Sequence, residues 1–121
     1  MTTILSIEDN LINKNLIRRY FRNSDIQLLE ADTGNEGIEA AKTEHPDLIL
    51  LDFNLPDMDG RKVAHSIREM KDYDNVPIIG LTAYDNRTLR LQMLTEGFDE
   101  VLYKPVNVAM LMQTVKAHLS R

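Results

Sequence analysis

The stretch "DLILLDFNLPDMDG", residues 47–60, places four consecutive apolar residues directly before a carboxylate. An apolar run of this length without alternation is typical of a strand that is buried on both faces, as the strands of a parallel sheet are. Asp52 follows the run, and a turn-rich segment with Pro56 and Gly60 follows Asp52. The pattern predicts a carboxylate that is held at the end of a buried strand, at the edge of a sheet.

The rest of the chain alternates short apolar runs with longer amphipathic segments. The predicted strands cover residues 3–7, 26–30, 47–51, 76–81 and 100–103. The predicted helices cover residues 11–23, 35–44, 60–71, 86–96 and 107–119. Strands separated by helices are parallel, and right-handed crossovers place the helices on both faces of the sheet. The sequence therefore predicts an α/β fold, a (βα)5 doubly wound five-stranded parallel sheet.

The first and last predicted helices carry apolar residues at helical spacing. In the first helix these residues are Ile12, Leu16, Ile17, Tyr20 and Phe21. In the last helix they are Val108, Leu111, Met112, Val115 and Leu119. Both sets predict the faces that pack on the sheet. The second predicted helix is weaker because it contains Gly37, and glycine in a helix costs about 1 kcal/mol relative to alanine.

Composition limits the classes of protein to which the chain could belong. Its 121 residues include 43% hydrophobic and 27% charged residues, without a repeat or linker, which predicts one globular domain over residues 1–121. The apolar runs are far shorter than the roughly 20 residues that span a bilayer, and the acidic N-terminus is unlike a secretory signal. The absence of cysteine excludes disulfides and thiolate metal sites. A net charge of −5 argues against direct nucleic-acid binding, so we expect a cytoplasmic domain.

Polar side chains with reactive chemistry directly follow four of the five predicted strands. Glu8 and Asp9 follow the first strand, Asp52 the third, Thr82 the fourth and Lys104 the fifth. In an open doubly wound sheet, ligands bind outside the carboxyl ends of the strands. The spacing therefore predicts that these five side chains form one site.

The charges of these side chains indicate the chemistry of the predicted site. Three carboxylates and one ammonium carry a net charge of about −2, and clustered like charges would raise the carboxylate pKa values. Mg²⁺, a hard cation that takes oxygen ligands, would offset this charge. A carboxylate such as Asp52 could then attack phosphorus and form an aspartyl phosphate, with Lys104 and Thr82 holding phosphoryl oxygens.

In their order and spacing, these residues resemble the CheY-like receiver domains of two-component response regulators. The resemblance rests on the acidic pair at 8–9, on "DFNLPDMDG" at 52–60, on Thr82–Ala83 and on Lys104–Pro105, and it covers essentially the whole chain. The segment "EDNLIN" at 8–13 is similar to the receivers of hybrid kinases and phosphorelays. The family has a flavodoxin-like sheet, so the resemblance implies the strand order 2-1-3-4-5.

The resemblance also implies a signalling function. Asp52 would accept a phosphoryl group from a phosphohistidine on a sensor histidine kinase or histidine phosphotransfer protein. Thr82 and Lys104 would contact that group, and the Lys104–Pro105 bond would be cis, as X–Pro bonds are able to be. The domain would then be a phosphoacceptor with only slow self-catalysed phosphorylation and dephosphorylation, rather than an enzyme with turnover.

The same resemblance implies a set of Mg²⁺ ligands. Asp9, Asp52 and the backbone carbonyl of Asn54 would bind the ion directly, and Glu8 would act through a water molecule. By the same resemblance, Asn54 and Tyr84 either tune the lifetime of the phosphoryl group or are simply loop residues.

One position departs from the pattern of the family. Most receivers carry Tyr or Phe three residues before the lysine, where this chain has Val101, and here the aromatic residue is Tyr103. Because side chains alternate along a strand, Val101 and Tyr103 should point to the same face. We hypothesise that Tyr103 reports the phosphorylation state to a downstream protein that binds the face around the fifth strand.

Two functions of other classes stay open at this point. One is a haloacid-dehalogenase-type phosphohydrolase, although that family has a second acid two residues after the nucleophile, where this chain has Asn54. The other is a receiver-like interaction module that is never phosphorylated. Plainer interpretations also exist: Asp52 could be a strand-end residue that starts a turn, Glu8, Asp9 and Thr82 could cap helices, and Lys104 could be a surface lysine.

Overall fold

The computed structural model describes residues 2–120, which contain five strands and five helices. The strands are β1 (Thr3–Ile7), β2 (Gln27–Ala31), β3 (Leu48–Asp52), β4 (Ile78–Thr82) and β5 (Glu100–Tyr103). The helices are α1 (Leu11–Phe21), α2 (Gly34–Glu44), α3 (Gly60–Arg68), α4 (Arg87–Thr95) and α5 (Val108–Leu119). All ten predicted elements are confirmed, with small differences at their ends.

The strands form one parallel sheet in the order β2-β1-β3-β4-β5, as predicted. The register brings the carboxyl ends of the central strands level with one another. Asp52 of β3 lies beside Leu81 of β4, and Thr82 of β4 lies beside Tyr103 of β5. Residues that end neighbouring strands therefore meet along a single edge of the sheet.

The sheet separates two apolar cores, one on each face. Successive residues of β3 alternate between them: Ile49 and Leu51 pack with residues of α2, α3 and α4, whereas Leu48 and Leu50 pack with residues of α1 and α5. Every residue of β3 and β4 is buried. Burial on both faces explains why these strands are continuous apolar runs in the sequence.

Gly37 has a packing role that explains its place inside α2. A Cβ atom at this position would lie 2.5 Å from Cδ1 and 2.8 Å from Cγ1 of Ile7. The absence of a side chain therefore lets α2 approach β1 closely. The packing of helix on strand outweighs the low helix propensity of glycine.

Two residues of the predicted apolar faces are not in the core. Ile12 is 71% exposed and Val108 is 46% exposed, whereas Ile17 and Leu111 are buried. Ile12 and Val108 lie in the first turn of their helices, which begin at the carboxyl edge of the sheet. They border this edge instead of covering the sheet, so assigning them to the buried faces was wrong.

The helices within residues 2–120 are short. The longest, α5, has 12 residues, and a helix needs about 20 apolar residues to cross a bilayer. None of the helices in this described part of the chain is long and apolar enough to span a membrane.

Candidate functional site

Three of the predicted site residues contact one another at the carboxyl edge of the sheet. Asp52 ends β3 and is 3% exposed, and Lys104 directly follows β5. The Nζ of Lys104 donates a hydrogen bond to Oδ1 of Asp52 at 2.7 Å and lies 3.1 Å from Oε1 of Glu8. Lys104 is therefore not a surface lysine, because its ammonium is engaged between two buried carboxylates.

The acidic residues of the edge are close enough to share a cation. Glu8, Asp9 and Asp52 each offer a carboxylate oxygen, and these oxygens lie within 4.8 Å of one another. Glu8 is 1% exposed, and the cation beside its Oε1 is the ammonium of Lys104, at 3.1 Å. Three clustered carboxylates beside one ammonium leave an excess of negative charge at this edge, which a bound cation would offset. The cluster therefore fits a metal ion with oxygen ligands.

The acidic pair does not cap α1. The N-cap of that helix is Asn10, whose side-chain Oδ1 accepts a hydrogen bond from the backbone N–H of Asn13 at 3.1 Å. The backbone N–H of Asn10 in turn donates to Oε2 of Glu8 at 3.2 Å. This last contact orients the Glu8 carboxylate, and the capping interpretation of Glu8 and Asp9 is wrong.

The environment of the site changes the acidity of Asp52 and Lys104. Burial raises the pKa of Asp52, Lys104 lowers it and Glu8 raises it, and together they move this pKa from its ordinary value of 3.8 to about 6. Burial lowers the pKa of Lys104, but its hydrogen bond to Asp52 and the charges of Asp52 and Glu8 outweigh burial and raise this pKa. At neutral pH Lys104 is therefore protonated and Asp52 is mainly ionised, although its surroundings oppose the charge of the carboxylate.

Thr82 ends β4 next to the cluster and is buried. Its Oγ1 accepts a hydrogen bond from the backbone N–H of Tyr84 at 3.0 Å. The N-cap of α4 is Asn86, not Thr82, so the capping interpretation of Thr82 is also wrong. Since Oγ1 acts as an acceptor towards Tyr84, its own proton is available for an anion at the edge of the sheet.

The loops after β3 and β4 meet beside the site. The side-chain Nδ2 of Asn54 donates a hydrogen bond to the hydroxyl of Tyr84 at 3.3 Å. The ring of Tyr84 also packs edge-on against Phe53, with 6.1 Å between ring centroids. Tyr84 is 50% exposed, so this contact borders the site on its solvent side.

Val101, the position at which this chain departs from the pattern of the family, lies in β5. Val101 is buried in the core on the side of α4, whereas Leu102 belongs to the opposite core. Val101 and Tyr103 line the same groove between α4 and α5, together with Leu91 and Met110. Leu102 lines this groove as well, so the shared face of Val101 and Tyr103 stays a prediction. The Lys104–Pro105 bond is cis, as the resemblance implied.

Sequence reasoning missed the role of Asp57 in the loop that follows Asp52. One oxygen of its carboxylate accepts the backbone N–H of Gly34 at 2.7 Å, and the other accepts that of Asn35 at 3.0 Å. The N–H of Gly34, followed by that of Asn35, lowers the pKa of Asp57. These partners are more than twenty residues away along the chain, so no local pattern could have indicated them.

The same loop ends at Asp59 and Gly60, whose structural roles are typical of aspartate and glycine at the start of a helix. The carboxylate of Asp59 accepts the backbone N–H of Arg61 at 2.7 Å and forms the N-cap of α3, a position at which aspartate is preferred. A Cβ atom on Gly60 would lie 2.5 Å from the carbonyl oxygen of Asp52. Glycine is therefore needed where α3 begins against the end of β3.

Comparison with known proteins gives consistent results. Residues 4–116 match the sequence family described as the response regulator receiver domain. The chain is 27% identical over 117 residues to the polar-differentiation response regulator DivK of Brucella ovis, a match that covers 97% of this chain and 95% of that protein. It is 34% identical over 115 residues to the sensor histidine kinase CheAY of Helicobacter pylori, covering 93% of this chain but 14% of that protein.

One similar protein of known structure contains a magnesium ion. The receiver domain of sensor histidine kinase PA1611 from Pseudomonas aeruginosa, which has a magnesium ion coordinated in its active-site cleft, superposes with a TM-score of 0.91. The two are 29% identical, and the match covers 99% of this chain and 98% of that one.

Proposed function

We propose that this chain, which belongs to the response regulator receiver domain family, accepts a phosphoryl group on Asp52 and thereby switches its binding to a partner. One observation carries the proposal: the buried carboxylate of Asp52 lies 2.7 Å from the ammonium of Lys104, in a cluster with two further carboxylates. The cluster offers a nucleophile and a place for the charge of a phosphoryl group.

In the proposed reaction, a carboxylate oxygen of Asp52 attacks the phosphorus of a phosphohistidine. A bond forms between this oxygen and phosphorus, and the phosphorus–nitrogen bond to the donor imidazole breaks, its electron pair remaining on nitrogen. The ammonium of Lys104 and the hydroxyl proton of Thr82 hold phosphoryl oxygens as their charge develops. Asp52 attacks in its ionised form, which its pKa of about 6 leaves predominant at neutral pH.

Mg²⁺ is the cofactor that suits this site, since its ligands are oxygens and it commonly binds through one or two carboxylates. We assign Asp9, Asp52 and the backbone carbonyl of Asn54 as direct ligands, with Glu8 acting through water. When bound, the ion neutralises charge on the phosphoryl oxygens. The oxygens of Glu8, Asp9 and Asp52, which lie within 4.8 Å of one another and are offset only in part by the ammonium of Lys104, support this assignment.

We further propose the classes of partner. The donor is a sensor histidine kinase or a histidine phosphotransfer protein, and the match to part of a sensor histidine kinase supports a place in such a relay. The downstream target is a protein that binds the groove at β5 where Val101 and Tyr103 lie. On this proposal residues 1–121 form a single receiver domain that works in the cytoplasm without enzymatic turnover.

The test is phosphorylation with a small donor. Incubation with acetyl phosphate and Mg²⁺ should add the mass of one phosphoryl group to the intact protein, and the Asp52→Asn variant should gain none. Repeated turnover of small phosphate esters would instead indicate a phosphohydrolase. If the wild type gained no mass and Asp52→Asn left partner binding unchanged, a receiver-like module without phosphorylation would be correct.

A further inference from the structure

The loop of residues 53–59, here named the β3–α3 loop, carries Asn54 and is held firmly at its base. Asn54 pairs with Asp59 in an antiparallel bridge. The backbone N–H of Gly60 donates to the carbonyl of Phe53 at 2.7 Å. These bonds close the loop where it leaves β3 and enters α3, but they do not attach its tip to the rest of the protein.

The tip is attached to α2 by Asp57 and Met58. The two oxygens of the Asp57 carboxylate accept the backbone N–H groups of Gly34 and Asn35, at 2.7 and 3.0 Å. The N–H groups of a first helical turn have no partner within the helix, and a negative charge is favourable there. Met58 packs so closely on Gly34 that a Cβ atom there would lie 2.6 Å from its Cγ. The tip therefore has a defined position relative to α2.

We propose that Asp57 is a positioning residue for the metal site, because its two hydrogen bonds to α2 hold the β3–α3 loop with Asn54 beside Asp52. This inference rests on the proposed function, in which the carbonyl of Asn54 is a metal ligand. Asp52 and Glu8 are buried at strand ends and are held by the sheet. The carbonyl of Asn54 belongs to a loop, so its direction depends both on the bridge to Asp59 at the base of the loop and on the attachment of the tip to α2.

The position of Asp57 determines which quantity should change when it is replaced. Residues that orient metal ligands without touching the metal typically contribute about 10- to 100-fold to metal affinity. Asp57 contacts neither Lys104 nor Thr82 among the hydrogen bonds of residues 2–120. Its loss should therefore weaken Mg²⁺ binding while leaving the rate of phosphorylation at saturating Mg²⁺ close to that of the wild type.

Calorimetric titration of the protein with Mg²⁺, without a phosphoryl donor, tests the inference directly. We expect Asp57→Ala to weaken binding about tenfold, and Asp57→Asn, which keeps one acceptor oxygen, to weaken it less. Asp85→Asn is the matched control, since Asp85 is an exposed acid that follows β4 at the same edge. It removes the same charge without touching α2, and it should change affinity less than about twofold. Asp9→Ala removes a proposed direct ligand, so its Mg²⁺ affinity gives the effect of losing a ligand for comparison with Asp57→Ala.

Amide hydrogen exchange is a second measurement, and it reports whether the loop is still attached to α2. In metal-free protein, the amides of Gly34 and Asn35 should exchange hydrogen faster in Asp57→Ala than in the wild type, with an unchanged far-UV circular dichroism spectrum. Equal Mg²⁺ affinities of Asp57→Ala and Asp85→Asn would overturn the inference and leave the proposed function standing. Failure of the wild type to bind Mg²⁺ would overturn both. A loss of phosphorylation rate in Asp57→Ala that saturating Mg²⁺ does not restore would also contradict a positioning role.

Discussion

At the scale of single residues, Asp52 combines two opposing demands. It must be buried to sit at the end of a strand that is covered on both faces, yet it must be ionised to act as a nucleophile. Burial raises its pKa, and the adjacent ammonium of Lys104 limits the increase. The result is a carboxylate whose charge is retained at neutral pH at the expense of the stability of the folded protein.

This conflict predicts a pH-dependent stability difference between the wild type and Asp52→Asn in metal-free solution. The pKa of Asp52 is about 6 in the folded protein and near 3.8 when unperturbed, so the folded state binds more protons between these values. The contribution of Asp52 to the free energy of unfolding is therefore fully present below about pH 4 and is lost as the pH rises through 6. The uncharged amide of the Asp52→Asn variant would resemble the protonated aspartate side chain at every pH.

We therefore expect Asp52→Asn to be more stable than the wild type by about 1–3 kcal/mol at roughly pH 7.5, and nearly equal to it at about pH 4. Urea unfolding in the presence of a chelator, at several pH values, measures the difference. Asp25→Asn, which removes an exposed carboxylate, is the control and should show a small difference. A gap between wild type and Asp52→Asn that stays constant with pH would contradict the raised pKa.

At the scale of elements, the close packing of α2 on β1 places the helix end to which the β3–α3 loop is attached. Gly37 permits that approach, and the first turn of α2 in turn receives the carboxylate of Asp57. A helix further from the sheet would present its N–H groups elsewhere. The element that the sequence indicates most weakly is therefore the one that holds the loop following Asp52.

Replacement of Gly37 by alanine separates packing from helix propensity. Propensity alone predicts stabilisation by about 1 kcal/mol, but the added Cβ would lie 2.5 Å from Cδ1 of Ile7. Since overpacking typically costs about 1–3 kcal/mol, we expect Gly37→Ala to lower the free energy of unfolding. Thermal or urea unfolding measures the change.

A double-mutant cycle identifies the partner in that contact. Ile7→Val removes Cδ1, the nearest of the three Ile7 atoms that the new Cβ would meet, and leaves Cγ1 and Cγ2 at 2.8 and 2.9 Å. Gly37→Ala should therefore be less destabilising, though not neutral, in the Ile7→Val background. The packing explanation fails if Gly37→Ala stabilises the protein, or if its effect is the same in both backgrounds.

At the scale of the whole molecule, the site and the proposed partner surface are connected through β5. The backbone N–H of Lys104 donates to the carbonyl of Thr82 at 2.8 Å, which joins the ends of β5 and β4. Tyr103 immediately precedes Lys104 and lines the groove between α4 and α5. A phosphoryl group held by Thr82 and Lys104 is therefore one residue away from a half-buried aromatic side chain on the surface.

We expect Tyr103→Ala to weaken phosphorylation-dependent binding of the downstream protein without preventing phosphorylation of Asp52. Phosphorylation needs only to favour one of two existing states, and a side chain that differs between them is sufficient to report it. Capture of the partner with and without a beryllofluoride phosphate mimic measures the dependence. Ile12→Ala, which removes an exposed apolar side chain of α1, away from the groove at β5, is the control. Equal state-dependence in the wild type and Tyr103→Ala would exclude this role for Tyr103.

The sequence by itself determined the order and type of the elements and the strand ends that carry the site. Unbroken apolar runs require strands covered on both faces, and parallel strands bring their carboxyl ends to one edge, so Glu8, Asp52, Thr82 and Lys104 could be grouped without coordinates. These inferences succeed because each depends on residues that are close in the chain or on the general geometry of a parallel sheet.

Only the tertiary structure decided which contacts complete the site. The hydrogen bonds of Asp57 to Gly34 and Asn35, the packing of Gly37 on Ile7 and the exposure of Ile12 all depend on how distant segments meet. A sequence pattern indicates which face of a helix is apolar, but not how far the helix extends past the edge of the sheet. It likewise shows that a loop carries a carboxylate, but not which helix end that carboxylate will reach.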